Sequence, residues 1–114
     1  MKPLVSLIIL NWNGKKNLEA CLHSLKNVSY QPLEVIVVDN NSNDGSQALV
    51  RDKYSWVILI ENKTNRGYCG GNNDGIKKSR GKYVFILNND TLVTQDFLKP
   101  LVERLRITIK LQTK

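Results

Sequence analysis

No apolar run in this chain approaches the roughly eighteen consecutive residues that a membrane helix requires. The longest, Leu4 to Leu10, is interrupted by Ser6 and lacks the layout of a signal peptide. The chain therefore reads as soluble and cytoplasmic. Cysteine is scarce: Cys21 and Cys69 lie far apart and in no metal-ligand spacing, so reduced thiols are expected. Cys69 has no evident base partner, which argues against a nucleophilic role. Histidine occurs once, at His23, off the apolar stripe of its helix, where an exposed bystander is expected. There is no Gly-Lys-Ser/Thr and no G-x-G-x-x-G, which excludes the standard phosphate cradles. The net charge of +7 is scattered, with only Lys15-Lys16 and Lys77-Lys78 adjacent, and no aromatic interleaving accompanies it. No nucleic-acid partner is expected. Most of this charge reads as solvated surface, with some left to hold a phosphate-bearing molecule or meet an anionic membrane.

What is present suffices for one domain: 114 residues, 41% of them hydrophobic. Leu4 to Leu10 reads as a strand that ends in Asn11-Trp12-Asn13-Gly14. Leu18, Cys21, Leu22 and Leu25 fall on one face of a helix from about Lys15 to Lys26. Leu33 to Val38 is a second strand, ending in Asp39-Asn40-Asn41-Ser42, and Asp44 or Ser42 can cap the helix that follows. Trp56 to Ile60 is a third strand. Asn65 to Gly75 is rich in glycine and asparagine and reads as a loop leading to a short helix at about Gly75 to Ser79. Lys82 to Leu87 is a fourth strand, the apolar run Val84-Phe85-Ile86-Leu87 being expected in mid-core. Thr94-Gln95-Asp96 opens a helix with Phe97, Leu98, Leu101, Val102 and Leu105 facing inward. The remaining residues, 107–114, alternate apolar and polar, which suits a half-exposed edge strand.

Apolar strands alternating with helices indicate parallel strands covered on both faces. The expected fold is α/β, Rossmann-like, with a mostly parallel sheet of about four strands flanked by helices. Ligands bind such sheets at the carboxyl ends of the strands, where strand order switches. Three polar tips then share one edge: Asn11-Trp12-Asn13, Asp39-Asn40-Asn41-Ser42 and Asn88-Asn89-Asp90. Each tip admits two readings. Asn88-Asn89-Asp90 is a set of hard oxygens suited to magnesium or manganese, or a strand terminator and cap. Asp39 accepts a hydrogen bond from a base imide, or belongs to an Asx-rich turn. Trp12 packs over the sheet end or lies beside a ligand, packing being favoured.

With these tips in order, the chain resembles the nucleotide-sugar-dependent glycosyltransferases of the inverting family 2, which have a GT-A fold. The matching segments are VSLIILNWNG at 5–14, EVIVVDNNSNDGS at 34–46, NRGYCGGNNDGI at 65–76 and YVFILNNDT at 83–91. The flavour is that of rhamnosyltransferase-like enzymes that build cell-surface polysaccharide. The resemblance implies that Asp39 contacts the nucleobase and that Asn11 and Asn13 line the base and ribose pocket. Asn41 and Arg66 would lie along the same cleft. Asn88-Asn89-Asp90 would take the D-x-D position, with Asp90 binding Mg2+ or Mn2+ and Asn88 standing where the first acid is usual.

The implied activity is transfer of a sugar from a UDP- or dTDP-sugar to a glycan or lipid-linked acceptor with inversion, in the cytoplasm or at the inner membrane face. The family's general base lies well beyond the D-x-D segment. Only Asp96 and Glu103 follow Asp90 here, and neither matches it, so the catalytic base is unassigned. Residues 1–106 are thus expected to form a nucleotide-sugar-binding half-domain, with 107–114 an edge strand at a truncation point that pairs two copies. A non-catalytic module that binds nucleotide or assembles with a partner is the rival. A receiver domain would need acids after the first strand, and a pyrophosphorylase an Arg/Lys-bearing glycine loop; the chain has neither.

Overall fold

The computed structural model describes residues 2–112, with side chains through residue 105. Four strands, β1 (Val5–Asn11), β2 (Leu33–Asp39), β3 (Ile58–Glu61) and β4 (Tyr83–Asn88), form one parallel sheet in the order β3-β2-β1-β4. They alternate with α1 (Lys15–Leu25), α2 (Ser46–Lys53), α3 (Gly67–Lys78) and α4 (Leu98–Gln112). The chain steps from β1 outward through β2 to β3, then returns to the far side of β1. Strand order therefore reverses between β1 and β4. Right-handed crossovers place the helix of the reversed step on the opposite face, and α3 is indeed separate from the others. Leu18, Cys21 and Leu22 of α1, Leu49 and Val50 of α2, and Leu98 and Val102 of α4 pack with Leu7, Ile9, Val35 and Val37 on one face. A smaller cluster, Ile8, Ile36 and Val38, lies on the α3 face.

The glycine-rich stretch expected as a loop is the body of α3. Glycine disfavours helix by about 1 kcal/mol per residue, but here close packing on the sheet decides. A Cβ at Gly75 would stand 2.6 Å from Ile8 Cγ2, and one at Gly71 2.3 Å from Leu10 Cδ1.

Three other expectations change. β4 is the outer strand of the sheet rather than a central one, and Val84 and Ile86 are 39% and 46% exposed on the α3 face. Leu101, expected inward, is exposed. Residues 107–112 continue α4 and are not a strand; residues 113–114 lie outside the described residues. The helix begun at Leu98 runs on through 107–112, so the alternation read there as a strand does not decide the backbone. The strand edge expected to pair two copies is thereby absent from residues 107–112. No helix among the described residues is long and apolar enough to cross a membrane.

Candidate functional site

The pairing register sets Asn11 beside Asp39, and Leu10 beside Asn88, at the carboxyl edge of the sheet. The Asn11 and Asn88 tips thus flank the point where strand order reverses, the place where open α/β sheets take ligands.

Asp39 is 1% exposed, and its carboxylate is fully engaged. Oδ1 accepts from Asn11 Nδ2 at 3.0 Å and from Ser42 Oγ at 2.7 Å. Oδ2 accepts from the Ser42 backbone N–H and from Gln47 Nε2, both at 2.8 Å. Four donors match the roughly four lone-pair sites a carboxylate offers. A base imide could reach Asp39 only if one of them let go. Asn13, in the left-handed region at φ 51°, clips the first two tips together. Its N–H donates to Ser42 Oγ at 2.8 Å, and its Oδ1 accepts from the Asn43 N–H at 2.7 Å. Asn41, also left-handed at φ 66°, is exposed. Trp12, expected to pack, is 57% exposed at the same edge.

On the α3 side, Asn40 is buried and ties the loop before α3 to β2. Its Nδ2 donates to the Gly67 carbonyl at 3.1 Å, and its Oδ1 accepts from Asn62 Nδ2 at 3.0 Å and from the Arg66 N–H at 3.3 Å. Arg66 Nε donates to Asp74 Oδ2 at 2.6 Å. That hydrogen bond holds the Asp74 carboxyl below the usual carboxylate range. Asn62 and Gln47 escaped the sequence reading, and Asn40 was placed in the second tip without a role of its own. The only signal for Asn40 was its place directly after a strand.

Asn88, Asn89 and Asp90 line a cleft of about 230 Å³ between the end of β4 and α3, together with Leu10, Tyr68, Asn72, Ile86 and Leu87. Asp90 is exposed, and no hydrogen bond or ion pair within the described residues occupies its carboxylate. Asn72 is 4% exposed, and neither end of its amide finds a partner among the described residues. The cleft gathers the expected third tip; Arg66 and Asn41 do not line it. Asn89 joins it to the other tips, its Nδ2 donating to Asn11 Oδ1 at 3.0 Å.

The described residues contain no group of three or more His, Cys, Asp and Glu that could hold a metal unaided. The donor set nonetheless fits a hard divalent ion shared with a ligand, because magnesium commonly takes one or two carboxylates plus substrate phosphates. Asp90, with the side-chain amides of Asn88 and Asn89, supplies the oxygens that line this cleft. Asp96 accepts from Ser29 Oγ at 2.7 Å, beside the segment leading into β2, and does not line the cleft.

The chain matches Glycosyl transferase family 2 over residues 6–108 and belongs to that family. It is 33% identical over 100 residues to an uncharacterized glycosyltransferase of Haemophilus influenzae, an alignment covering 85% of this chain and 40% of that protein. Over 88 residues it is 32% identical to the Escherichia coli UDP-Glc:alpha-D-GlcNAc-diphosphoundecaprenol beta-1,3-glucosyltransferase WfaP, covering 76% of this chain and 35% of that one. Among solved structures it superposes with a TM-score of 0.77 on the mannosyltransferase PcManGT of Pyrobaculum calidifontis in complex with GDP-Man and Mn2+. There the identity is 29%, with 86% of this chain and 31% of that one covered. The chain thus spans well under half the length of the relatives it matches. Its α/β architecture with a four-stranded parallel sheet is the Rossmann-like part of a GT-A fold.

Proposed function

We propose that this chain forms the donor-binding part of a glycosyltransferase that moves a sugar from a nucleoside-diphosphate sugar to a glycan or lipid-linked acceptor with inversion. The observation that carries this is the unengaged Asp90 carboxylate, delivered by β4 to the switch point between β1 and β4 in a family 2 chain. The names of the relatives support the donor class: WfaP uses UDP-Glc, and PcManGT was solved with GDP-Man and Mn2+. For this chain the donor is a UDP- or dTDP-sugar, with a rhamnosyltransferase-like subtype. WfaP also supports a lipid-linked acceptor, met from the cytoplasmic face of a membrane that the +7 charge would favour.

Asp90 would hold Mg2+ or Mn2+ against the donor's two phosphates, and Asn88 would bond the ribose. When bound, the cation neutralises charge that builds on the departing diphosphate. Asn41 and Arg66 would lie along the nucleotide, Arg66 supplying positive charge through the guanidinium nitrogens that Asp74 leaves free. Asn13 would line the base and ribose pocket through its amide nitrogen, its Oδ1 being held by Asn43. Asn11 and Asp39 enter differently, because their polar atoms are already bonded within the chain. The proton of the attacking hydroxyl goes to a base that does not line this cleft.

Isothermal titration with UDP and dTDP, with and without Mn2+, tests this reading. Binding that strengthens with Mn2+ and is lost in Asp90→Ala is expected. Absence of heat with every nucleotide would defeat it. Sugar transfer or donor hydrolysis abolished by Asp90→Ala would separate the enzyme from a binding module.

A further inference from the structure

One chain of hydrogen bonds joins the end of β2 to the tip of β4 through Asn11 of β1, and its chemistry runs in a single direction. A carboxylate only accepts, so Asp39 Oδ1 obliges Asn11 to turn its Nδ2 inward, 3.0 Å away. Asn11, 0% exposed, must then present its Oδ1 toward β4. An amide oxygen also only accepts, so Asn89 must answer with its Nδ2, again at 3.0 Å. The Asn89 end left out of the chain is its carbonyl oxygen, on a residue that lines the cleft beside Asp90. Asp39 is itself fixed by Ser42 and Gln47, so neither amide can flip without leaving like ends facing each other.

Gly14 makes room for this contact. A Cβ there would lie 2.4 Å from Asn89 Nδ2 and 2.9 Å from Asn11 Oδ1. Even alanine at position 14 would therefore push the two amides apart.

We infer that Asp39 and Asn11 are positioning residues that orient Asn89 so that its Oδ1 stands with Asp90 as a neutral oxygen ligand for the divalent cation. The inference rests on the donor-binding reading above and changes the roles within it. Asp39 acts by dictating amide polarity rather than by contacting a base. The neutral oxygen of Asn89 supplies part of what the site lacks where Asn88 stands in place of an acid. A hard cation accepts amide oxygens alongside a carboxylate, and partners that orient such ligands typically contribute ten- to hundredfold to metal affinity, on the order of other metal sites.

The test is Mn2+ binding to the full chain in the presence of UDP, read by the loss of the free-ion paramagnetic resonance signal. It compares wild type, Gly14→Ala and Asn89→Ala, each with its thermal midpoint. Both variants are expected to weaken Mn2+ binding by roughly tenfold, and Asn89→Ala, which leaves the buried Asn11 Oδ1 without its donor, should stay folded with a modestly lower midpoint. In metal-free protein, the side-chain amide resonances of Asn11 and Asn89 should exchange slowly and shift in Gly14→Ala. Wild-type affinity in both variants would overturn the inference and leave the donor-binding reading standing. Failure of the wild type to bind Mn2+ with any nucleoside diphosphate would overturn both. Should Gly14→Ala not fold, Asn89→Ala alone decides.

Discussion

Arg66 Nε and Asp74 Oδ2 stand 2.6 Å apart, so the cation at the entrance to α3 is held by an acid about two turns further along the same helix. The pair fixes the guanidinium near the loop that Asn40 ties to β2. It also makes the acid limb of stability specific. The folded pKa of Asp74 is depressed by the Arg66 hydrogen bond. Its contribution is therefore present above the unfolded value of about 3.9 and lost as pH falls through the folded value. Wild type should melt slightly above Asp74→Asn near pH 6, and the difference should vanish at the acid end of a pH series. A gap that widens toward low pH would contradict the pair. The effect stays small because both side chains meet solvent.

Removing the Asp39 carboxylate should be far more costly. Asp39→Ala leaves the buried Asn11 amide and the Ser42 N–H and hydroxyl without this acceptor, whereas half-buried Gln47 keeps the Ser42 carbonyl. A loss of about 3 kcal/mol or more is expected from urea unfolding, given about 1–3 kcal/mol for each buried donor left unpaired. Asp39→Asn should recover part of it by restoring one oxygen. A wild-type urea midpoint in Asp39→Ala would show that the carboxylate organises nothing.

The strands and α1 were legible because period and run length are local properties. β1 and β2 are mostly apolar runs broken only by Ser6 and Glu34 before their polar ends, and Leu18, Cys21, Leu22 and Leu25 mark a helix face without help from the rest of the chain. What failed depends on partners distant in sequence. Glycines that lower helix propensity are what lets α3 lie against Ile8 and Leu10. The run Val84 to Leu87 looks buried on both faces, yet its place at the sheet edge is set by strand order. The three polar tips were placed on one edge by the fold rule alone. Which of their atoms are already bonded depends in part on residues far away in sequence, as where Asn11 reaches Asp39 28 positions on and Ser42 31 positions on, and could not be read from composition.

The sealed amide of Asn72 predicts a gain. Both its polar ends are buried without a partner among the described residues, and such groups cost about 1–3 kcal/mol. Asn72→Ala, which removes the amide without adding volume, should raise the urea midpoint by an amount corresponding to about 1 kcal/mol. A lower midpoint would mean that the amide is held by something it needs in the folded chain.

The two thiols should separate cleanly. Burial pushes the Cys21 thiol up to about 11, the Asp90 charge adding to the effect, whereas Cys69 is exposed on α3. Since the thiolate is the reactive form, a disulfide reagent at pH 8 should titrate one thiol rapidly in the native protein and two after denaturation. Cys69→Ser should remove the fast reaction. Rapid modification of both thiols in native buffer would mean that α1 does not stay docked on the sheet.

Close packing of α3 on the sheet gives the last expectation. At Gly75 an added Cβ meets Ile8 Cγ2 at 2.6 Å and Val38 Cγ2 at 3.0 Å, both from β-branched residues buried in the sheet. Such side chains have little rotamer freedom with which to move aside. Overpacking of this kind costs about 1–3 kcal/mol, against a propensity gain of about 1 kcal/mol for replacing a helical glycine. Gly75→Ala should therefore be destabilised by up to about 2 kcal/mol in urea unfolding. At Gly70 the nearest atom to an added Cβ is the Arg66 Cβ, at 3.1 Å, on an exposed side chain. Gly70→Ala should accordingly lie near or above wild type. If the two variants rank in the opposite order, α3 does not owe its glycines to its approach to β1 and β2.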